Sequence, residues 1–359
     1  VSEQEYYGLL DGQLRQFCSY AGSSIFSSID KFKGGFPVDY LSGNIKEIFR
    51  ECDFRIIIPV KSKGKLLGAL LLGEKLSEAS FDDDDIEFMT SIAGQTAVAI
   101  ENAMLYDDLA RQERLRHEMK LARQIQLDSL PADVPEIEGL DISGISYPAL
   151  EVGGDFYDFL NGKTGTITVI VGDVSGKGTS AALYMSKTQG IMRALADFSP
   201  GPKDLLAKTN RLLYKYIDRN SFITAIGAGF DISAKSVQLS RAGHLPLYYF
   251  NSAKNEIERL VPKGVMIGMT KDKTFSVNLE QIQLNYSAGD IFVFITDGIT
   301  EARNTAKEEF GEGRLLSIIT QHASSDSNTM RDAIVRSVND FAEGNEQFDD
   351  LTVVIVKAL

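Results

Sequence analysis

Residues 169–186, "VIVGDVSGKGTSAALYMS", run an apolar stretch into one aspartate, Asp173, then through a turn punctuated by Gly176 and Gly178 into helical spacing. The apolar run reads as a strand and "SAALYMS" as the start of a helix, so Asp173 stands at a strand end. A nucleotide P-loop needs four residues between its first glycine and its Gly-Lys pair, then Ser or Thr. Here three residues separate Gly172 from Gly176, and Gly178 follows Lys177, so the turn is not a P-loop.

Three other strand ends also carry aspartate: "EVGGDFYDFL" (Asp155, Asp158), "FITDGITEA" (Asp297) and "QFDDLTVVIV" (Asp349, Asp350). A lone strand-end Asp usually closes a turn on its own backbone. Carboxylates drawn together from separate strands are different, because they repel and desolvate one another unless a cation offsets them. Oxygen donors with no His or Cys beside them favour a hard ion, Mg2+ or Mn2+. The adjacent glycines, Gly298 among them, leave room for backbone to approach an ion, water or phosphate.

After Pro135 the chain alternates short β runs, among them "TITVIVGD", "FITAIGAGFD", "SVQLSRAG", "DIFVFITDG" and "DLTVVIVKAL", with helical stretches near 178–197, 203–219, 312–322 and 328–342. Antiparallel strands with helices inserted in blocks make an α+β sandwich. Upstream, behind a helical opening, "FRIIIPV" and "KLLGALLLG" flank "KSKGK" as an antiparallel hairpin would. Four aspartates, Asp82 to Asp85, then precede a helix whose apolar period puts Phe88, Ile92, Gln95, Ala99 and Ala103 on one face. They read as capping residues in preference to a metal site.

From Glu101 to Leu130 there is neither Gly nor Pro, and Leu105, Leu109, Leu115, Met119, Ala122, Ile125 and Leu130 recur at spacings near three and four. The helix therefore continues as a linker, its seam covered by a parallel dimeric coiled coil or by the chain's own domains. Pro131 and Pro135 end it. The expected organisation is a regulatory domain at 1–103, a helical linker at 104–130 and a catalytic domain at 131–359.

With 37 Lys and Arg against 50 Asp and Glu, a formal net charge of -13, most of the surface repels nucleic acid. Two cysteines, Cys18 and Cys52, make no disulfide framework and fit a reducing, cytoplasmic setting. The apolar stretch "LLGALLLG" at 66–73 is far short of a bilayer span, so no membrane contact is expected of this stretch of protein. The first residue is Val1, which fits a trimmed chain.

The ordered series "ARQIQLDSLP", "VGGDFYD", "GDVSGKGTSAALYM", "AGHLP", "TDGITEA" and "FDDLTVVIV" resembles the PP2C-superfamily bacterial serine/threonine phosphatases of the RsbU/SpoIIE type, which act in partner-switching control of sigma factors. The resemblance covers about two thirds of the chain. It implies a PP2C-like β-sandwich flanked by helices and a pair of Mn2+ or Mg2+ ions bridged by Asp173, which is the residue expected to be catalytic. The Val174 carbonyl and Asp155 would complete one ion's set, while Asp297 and Asp349 hold the other. Asp350 is an alternative to Asp349, since adjacent strand residues point opposite ways. Asp158 is either a support for these ligands or a solvated turn residue, and Gly298 lies beside them. His244, before Pro246 in a turn, reads as a structural hydrogen bonder, with proton transfer to the leaving serine as the minor alternative. No arginine near the first metal motif stands out as a phosphate clamp; Arg193, Arg241 and Lys177 could each approach a phosphate, and their spacing does not decide between them.

Residues 1–103 resemble a GAF domain in "IIIPV", "GALLLGEK" and "FDDDDIEFMTSIAGQTAVAIENAMLY", over a span short for that domain. Lys75, Phe81 and Asp85 match the pattern of cyclic-nucleotide-binding members, whereas Glu74 and Ile86 depart from it and speak against such a ligand. The resemblance implies a metal-dependent phosphatase that uses a metal-bridging water to remove phosphate from a serine or threonine of a STAS-type anti-anti-sigma protein. Control would come from the GAF-like part, through a parallel homodimer formed by the linker. Two rivals are a silent docking pseudophosphatase, whose lost ligands are not seen, and a diguanylate cyclase suggested by "GGDFYDF". The cyclase reading leaves "TDGITEA" and "FDDLTVVIV" without a role.

Overall fold

The computed structural model describes residues 23–131, 133–161, 166–345 and 347–359; the helical opening before Ser23, and Cys18 within it, lies outside them. The chain divides into two compact units at Leu115/Arg116. Among the described residues no helix is long and apolar enough to cross a membrane.

The first unit holds helices α1 (Ser23–Ile29) and α2 (Asn44–Glu51), strands β1 (Phe36–Pro37), β2 (Ile56–Ser62) and β3 (Lys65–Leu72), and the start of α3 (Asp83–Ser129). The three strands form an antiparallel sheet in the order β1-β2-β3. Lys63 and Gly64 turn the hairpin with positive φ at both positions, the pattern that matches the twist of paired strands. Strand β2 is buried on both faces: Ile57 packs with Phe36 and Phe49, and Ile56, Ile58 and Val60 pack with Ala93 and Ala97 of α3.

The helical face differs from the one expected. Met89, Ala93 and Ala97 meet the sheet, whereas Phe88 is exposed. Alanine lets the helix axis come close to β2, and a face of small residues carries little apolar signal. The acidic run is a cap, because Asp82 Oδ1 accepts the Asp85 amide at 2.9 Å and Asp85 Oδ2 accepts the Asp82 amide at 2.9 Å. Asp85 also pairs with Lys75, whose ammonium lies 5.2 Å from the Phe81 ring centre. Helix α3 runs unbroken for 47 residues and stops before Pro131.

The second unit is an antiparallel sandwich of two five-stranded sheets. One has the order β10-β9-β12-β13-β4 and is built from Glu256–Leu260, Leu247–Asn251, Ile291–Ile295, Leu351–Ala358 and Leu140–Tyr147. The other has the order β11-β8-β7-β6-β5, from Gln281–Asn285, Ser236–Ala242, Ile223–Asp231, Thr166–Val174 and Phe156–Asn161. Helices α4 (Thr179–Ala196) and α5 (Pro202–Leu213) cover the second sheet. After the short α6 (Asp272–Asn278) and α7 (Asp297–Thr300), helices α8 (Gly311–Gln321) and α9 (Ser327–Ala342) cover the first.

This layering explains why the central strands are apolar throughout instead of alternating. In β12, Phe292 and Phe294 enter the core between the sheets while Ile291, Val293 and Ile295 pack under α8 and α9. Strand β13 divides likewise, with Val354 and Val356 inside and Val353 and Ile355 outside. Phe292 anchors the middle, fully buried, with ring centres of Tyr249 at 5.0 Å, Phe230 at 5.1 Å and Tyr286 at 6.1 Å.

Phe292→Ala should lower unfolding stability by about 3–5 kcal/mol, from lost burial plus the cavity left behind. Urea unfolding followed by circular dichroism measures this, and a loss below about 1 kcal/mol would show that the sheets do not depend on this aromatic cluster.

Candidate metal and active site

The strand-end aspartates gather at one end of the sandwich. Asp155 immediately precedes β5, and Asp173 is the penultimate residue of β6, facing Thr224 of β7 in the ladder. From the opposite sheet, Asp297 opens α7 directly after β12, and Asp349 and Asp350 precede β13. Because β5 pairs with β6 and β12 with β13, each sheet delivers two neighbouring strand ends.

Asp155 is held across the sandwich. Its Oδ2 accepts the hydroxyls of Thr296 at 2.6 Å and Thr352 at 2.7 Å, both from the facing sheet. Thr352 is also bonded to Ser146 at 2.8 Å, and its amide donates to Thr296 Oγ1 at 3.0 Å. Motif reading did not single out Thr296 and Thr352. Their one signal is a polar residue set in otherwise apolar strand sequence, in "FITDG" and "DDLTVV".

Asp350 has a different task from Asp349. Its carboxylate accepts backbone amides from Ala149 at 2.7 Å, Gly154 at 2.6 Å and Asp155 at 3.2 Å, and so shapes the loop entering β5. Asp349 is turned the other way: Oδ1 accepts the Asp350 amide at 2.9 Å and Oδ2 meets Lys177 at 3.0 Å.

Asp158 is buried within β5 and ion-paired with Arg193 at 2.6 Å, so it is not a solvated turn residue. Arg193 also donates to Ser129 O, and Arg241 donates to Pro262 O and His244 O. Both arginines are thus engaged in framework contacts. His244 is buried, with Nδ1 2.8 Å from Thr224 Oγ1 and Nε2 3.1 Å from Ile295 O. A carbonyl can only accept, so Nε2 carries the proton and Nδ1 accepts the threonine hydroxyl.

The glycines serve close packing more than approach to an ion. A Cβ at Gly298 would stand 2.0 Å from Asp350 O, and one at Gly154 would stand 2.8 Å from Val174 O and 3.3 Å from Asp173 Oδ1. Gly154 therefore lets the Asp155 loop lie against the end of β6 and brings the Val174 carbonyl beside the cluster.

Burial and crowding raise Asp155, Asp173 and Asp297 above the usual carboxylate range. Asp173 is pushed up to about 7 by burial, then by Asp297, Asp349 and Asp350, with Lys177 opposing. Asp155 is raised by burial and by Asp173 and Asp350, against the pull of the two threonine hydroxyls. Asp297 is raised by burial, Asp349 and Glu301. A buried, oxygen-only set that resists carrying its own charge has the chemistry of a hard-cation site. Among the described residues, no three His, Cys, Asp or Glu side chains are already gathered at ligating positions. Asp155 is turned to its threonines and Asp349 to Lys177.

Residues 163–359 match the family described as Stage II sporulation protein E (SpoIIE), and residues 34–100 match the GAF domain. The phosphoserine phosphatase RsbU of Bacillus subtilis is 30% identical over 249 residues, 68% of this chain and 71% of that protein. Protein IcfG of Synechocystis is 28% identical over 329 residues, 83% of this chain; the chain spans 51% of that relative's length. Among solved structures, the SiaA PP2C domain of Pseudomonas aeruginosa superposes with a TM-score of 0.59 at 20% identity, covering 69% of this chain and 98% of that one, a likeness of fold.

The raised carboxyls carry a sign that can be tested. Between about pH 4 and 7 the folded, ion-free chain holds protons at Asp173 that the unfolded chain has released, so this group's contribution to stability falls as pH rises through that window. In EDTA, Asp173→Asn should melt above wild type at about pH 7.5, with the gap closing toward about pH 4.5. Equal melting temperatures across the range would show that Asp173 is not under charge strain.

Proposed function

The chain belongs to the SpoIIE family of PP2C-type serine/threonine phosphatases, and from that membership we propose that it dephosphorylates a phosphoserine or phosphothreonine on a small STAS-type anti-anti-sigma protein in the cytoplasm. The observation that carries this reading is the convergence of Asp155, Asp173, Asp297 and Asp349 from four strand ends, with Asp173 pushed up to about 7 by its surroundings.

Mn2+ or Mg2+ ions, two by the family resemblance, would suit this donor set and would be held by Asp155, Asp173, the Val174 carbonyl, Asp297 and Asp349. Bound there, they would lower the pKa of the attacking water and offset charge on the phosphoryl oxygens. The chain's own work is to hold the donors: Thr296 and Thr352 fix Asp155, Asp350 fixes the loop in front of it, and the β6–β7 ladder fixes Asp173. No side chain of the site needs to act as nucleophile. Cys52 is buried in the first unit, and His244 has both nitrogens engaged. With Arg193 and Arg241 engaged in the framework, docking of the protein substrate would do much of the phosphate positioning, and small phosphoesters would turn over slowly. The cyclase reading is not favoured, because Gly153, Gly154 and Asp155 form a loop ahead of β5 instead of a hairpin tip.

Regulation through the linker is part of the proposal. In the last turns of α3, Gln126 receives the Gly153 amide at 2.9 Å and donates to its carbonyl at 2.5 Å, while Arg123 donates to Leu150 O at 3.0 Å. Rotation of this helix would therefore pull on the loop that ends in Asp155. Leu105, Leu109, Leu115 and Ile125 are exposed along the helix, which supports a parallel homodimer with the GAF domain acting through it.

Phosphate release from phosphorylated STAS proteins, with and without Mn2+, tests the activity. Wild type should turn over, EDTA should abolish it, and Asp173→Asn should fall to background while remaining folded. Undiminished metal-dependent turnover by Asp173→Asn refutes the assignment. For control, one residue inserted near Gln112 rotates everything beyond it by about 100°. The ratio of stimulated to basal activity should change, and an unaltered ratio with unaltered basal rate rejects linker coupling.

A further inference from the structure

Lys177 lies on the turn between β6 and α4; its direct contacts belong to two consecutive residues of another strand end, and its charge also reaches Asp173. Its ammonium donates to Phe348 O, pairs with Asp349 Oδ2 at 3.0 Å, and sits 3.8 Å from the Phe348 ring centre. An ammonium has three donors and no acceptor, and a ring face at that distance is a favourable third partner. The turn is built to aim it. Gly176 and Gly178 flank Lys177 with φ of 93° and 77°, and a Cβ at either would meet nothing within 4 Å, so the backbone conformation and not lack of space calls for glycine.

The contact engages Asp349, whose other oxygen already accepts the Asp350 amide. Each oxygen keeps a second lone pair, but an ion approaching Oδ2 meets the Lys177 ammonium already seated there. Charge makes the exchange with Lys177 the easier one, since an ammonium and a divalent cation on one carboxylate oxygen repel each other, whereas the Asp350 amide is neutral. We propose that Lys177 is a tethered counter-cation for Asp349 that a divalent ion must displace, so that this lysine sets how tightly the site holds its ions. The inference rests on reading the acidic cluster as a metal site. It gives the "SGKG" turn a role separate from phosphate binding, and leaves the displaced ammonium beside Phe348, itself 63% exposed at the mouth of the site.

The pair is partly open to solvent, with 40% of the Lys177 side chain and 32% of the Asp349 side chain exposed, so its effect is bounded. Mn2+ titrated calorimetrically into the ion-free full chain, without substrate, reads it directly. Lys177→Met should bind Mn2+ about two- to fivefold more tightly than wild type, and Lys177→Arg, which keeps the charge, should stay closer to wild type. Adding Lys177→Met to Asp349→Asn should give a smaller gain than Lys177→Met gives in wild type, because the carboxylate that Lys177 pairs with is gone and only its field at Asp173 remains. Thermal melts of each ion-free variant check folding. If wild type binds Mn2+ and Lys177→Met binds it equally or more weakly, the Lys177 assignment fails alone. A wild type that takes up no Mn2+ sinks the metal reading and this inference with it. Unchanged Mn2+ affinity with loss of binding to inorganic phosphate would make Lys177 a substrate ligand and overturn the proposal.

Discussion

Several carboxylates brought out of water at one end of a sandwich must each find a way to carry or shed a charge, and the local architecture follows from how each does so. Asp155 is received by two threonine hydroxyls from the opposite sheet, Asp350 by three backbone amides, and Asp158 by the Arg193 guanidinium. Each of these is a hydrogen-bonded solution that the folded chain supplies for itself. Asp173 and Asp297 are left under mutual repulsion, and Asp349 leans on a single lysine. The division separates residues that build the site from residues that an ion would serve.

The same division explains how two sheets with no shared strand stay in register at their acidic ends. The Thr296 and Thr352 hydroxyls reach from just past β12 and from β13 to the residue that precedes β5, and the Asp350 carboxylate reaches the loop in front of it. The apolar core between the sheets resists separation, but hydrophobic contact is non-directional and sets no ångström-scale position. The polar contacts at the end are directional and supply that position. Gln126 adds the linker helix to the same loop through both backbone groups of Gly153, so the Asp155 approach is fixed from three directions.

Much of this was legible in the sequence, and what was missed has physical causes. Asp173 at a strand end followed by a glycine turn and a helix is a local pattern, and the structure has that arrangement. The sandwich was legible because its strands are short and turn-punctuated, even though β12 and β13 lack alternation, their outer faces lying under helices. The contacted face of α3 was misread because alanines contact the sheet and larger residues point away. Strands β10 and β11 were not singled out; Glu256–Leu260 and Gln281–Asn285 are sheet edges with mixed polar sequence. The different tasks of Asp349 and Asp350 are set by contacts with residues about 170 and 200 positions away, Lys177 for one and Ala149 to Asp155 for the other. No single-sequence window spans that separation.

His244 shows why residue type alone misleads at such a site. An imidazole in a phosphatase domain invites a role in proton transfer, yet burial, opposed by its bond to Ile295 O and reinforced by Arg241, holds it down to about 4. It stays neutral throughout the physiological range, and its single ring proton is committed to Ile295 O. Its Nε2 proton goes to Ile295, two residues before Asp297, and its Nδ1 takes the hydroxyl of Thr224, which faces Asp173 across the ladder. One neutral ring thus ties the strand beside Asp173 to the strand that ends at Asp297, joining the two sheets close to their acidic residues. A lysine or arginine there would bring a buried charge into an already crowded field, and an apolar residue would leave Thr224 and Ile295 O without their partner. Imidazole alone among the side chains offers one donor and one acceptor on opposite sides of a rigid ring while uncharged, which is what this bridge requires.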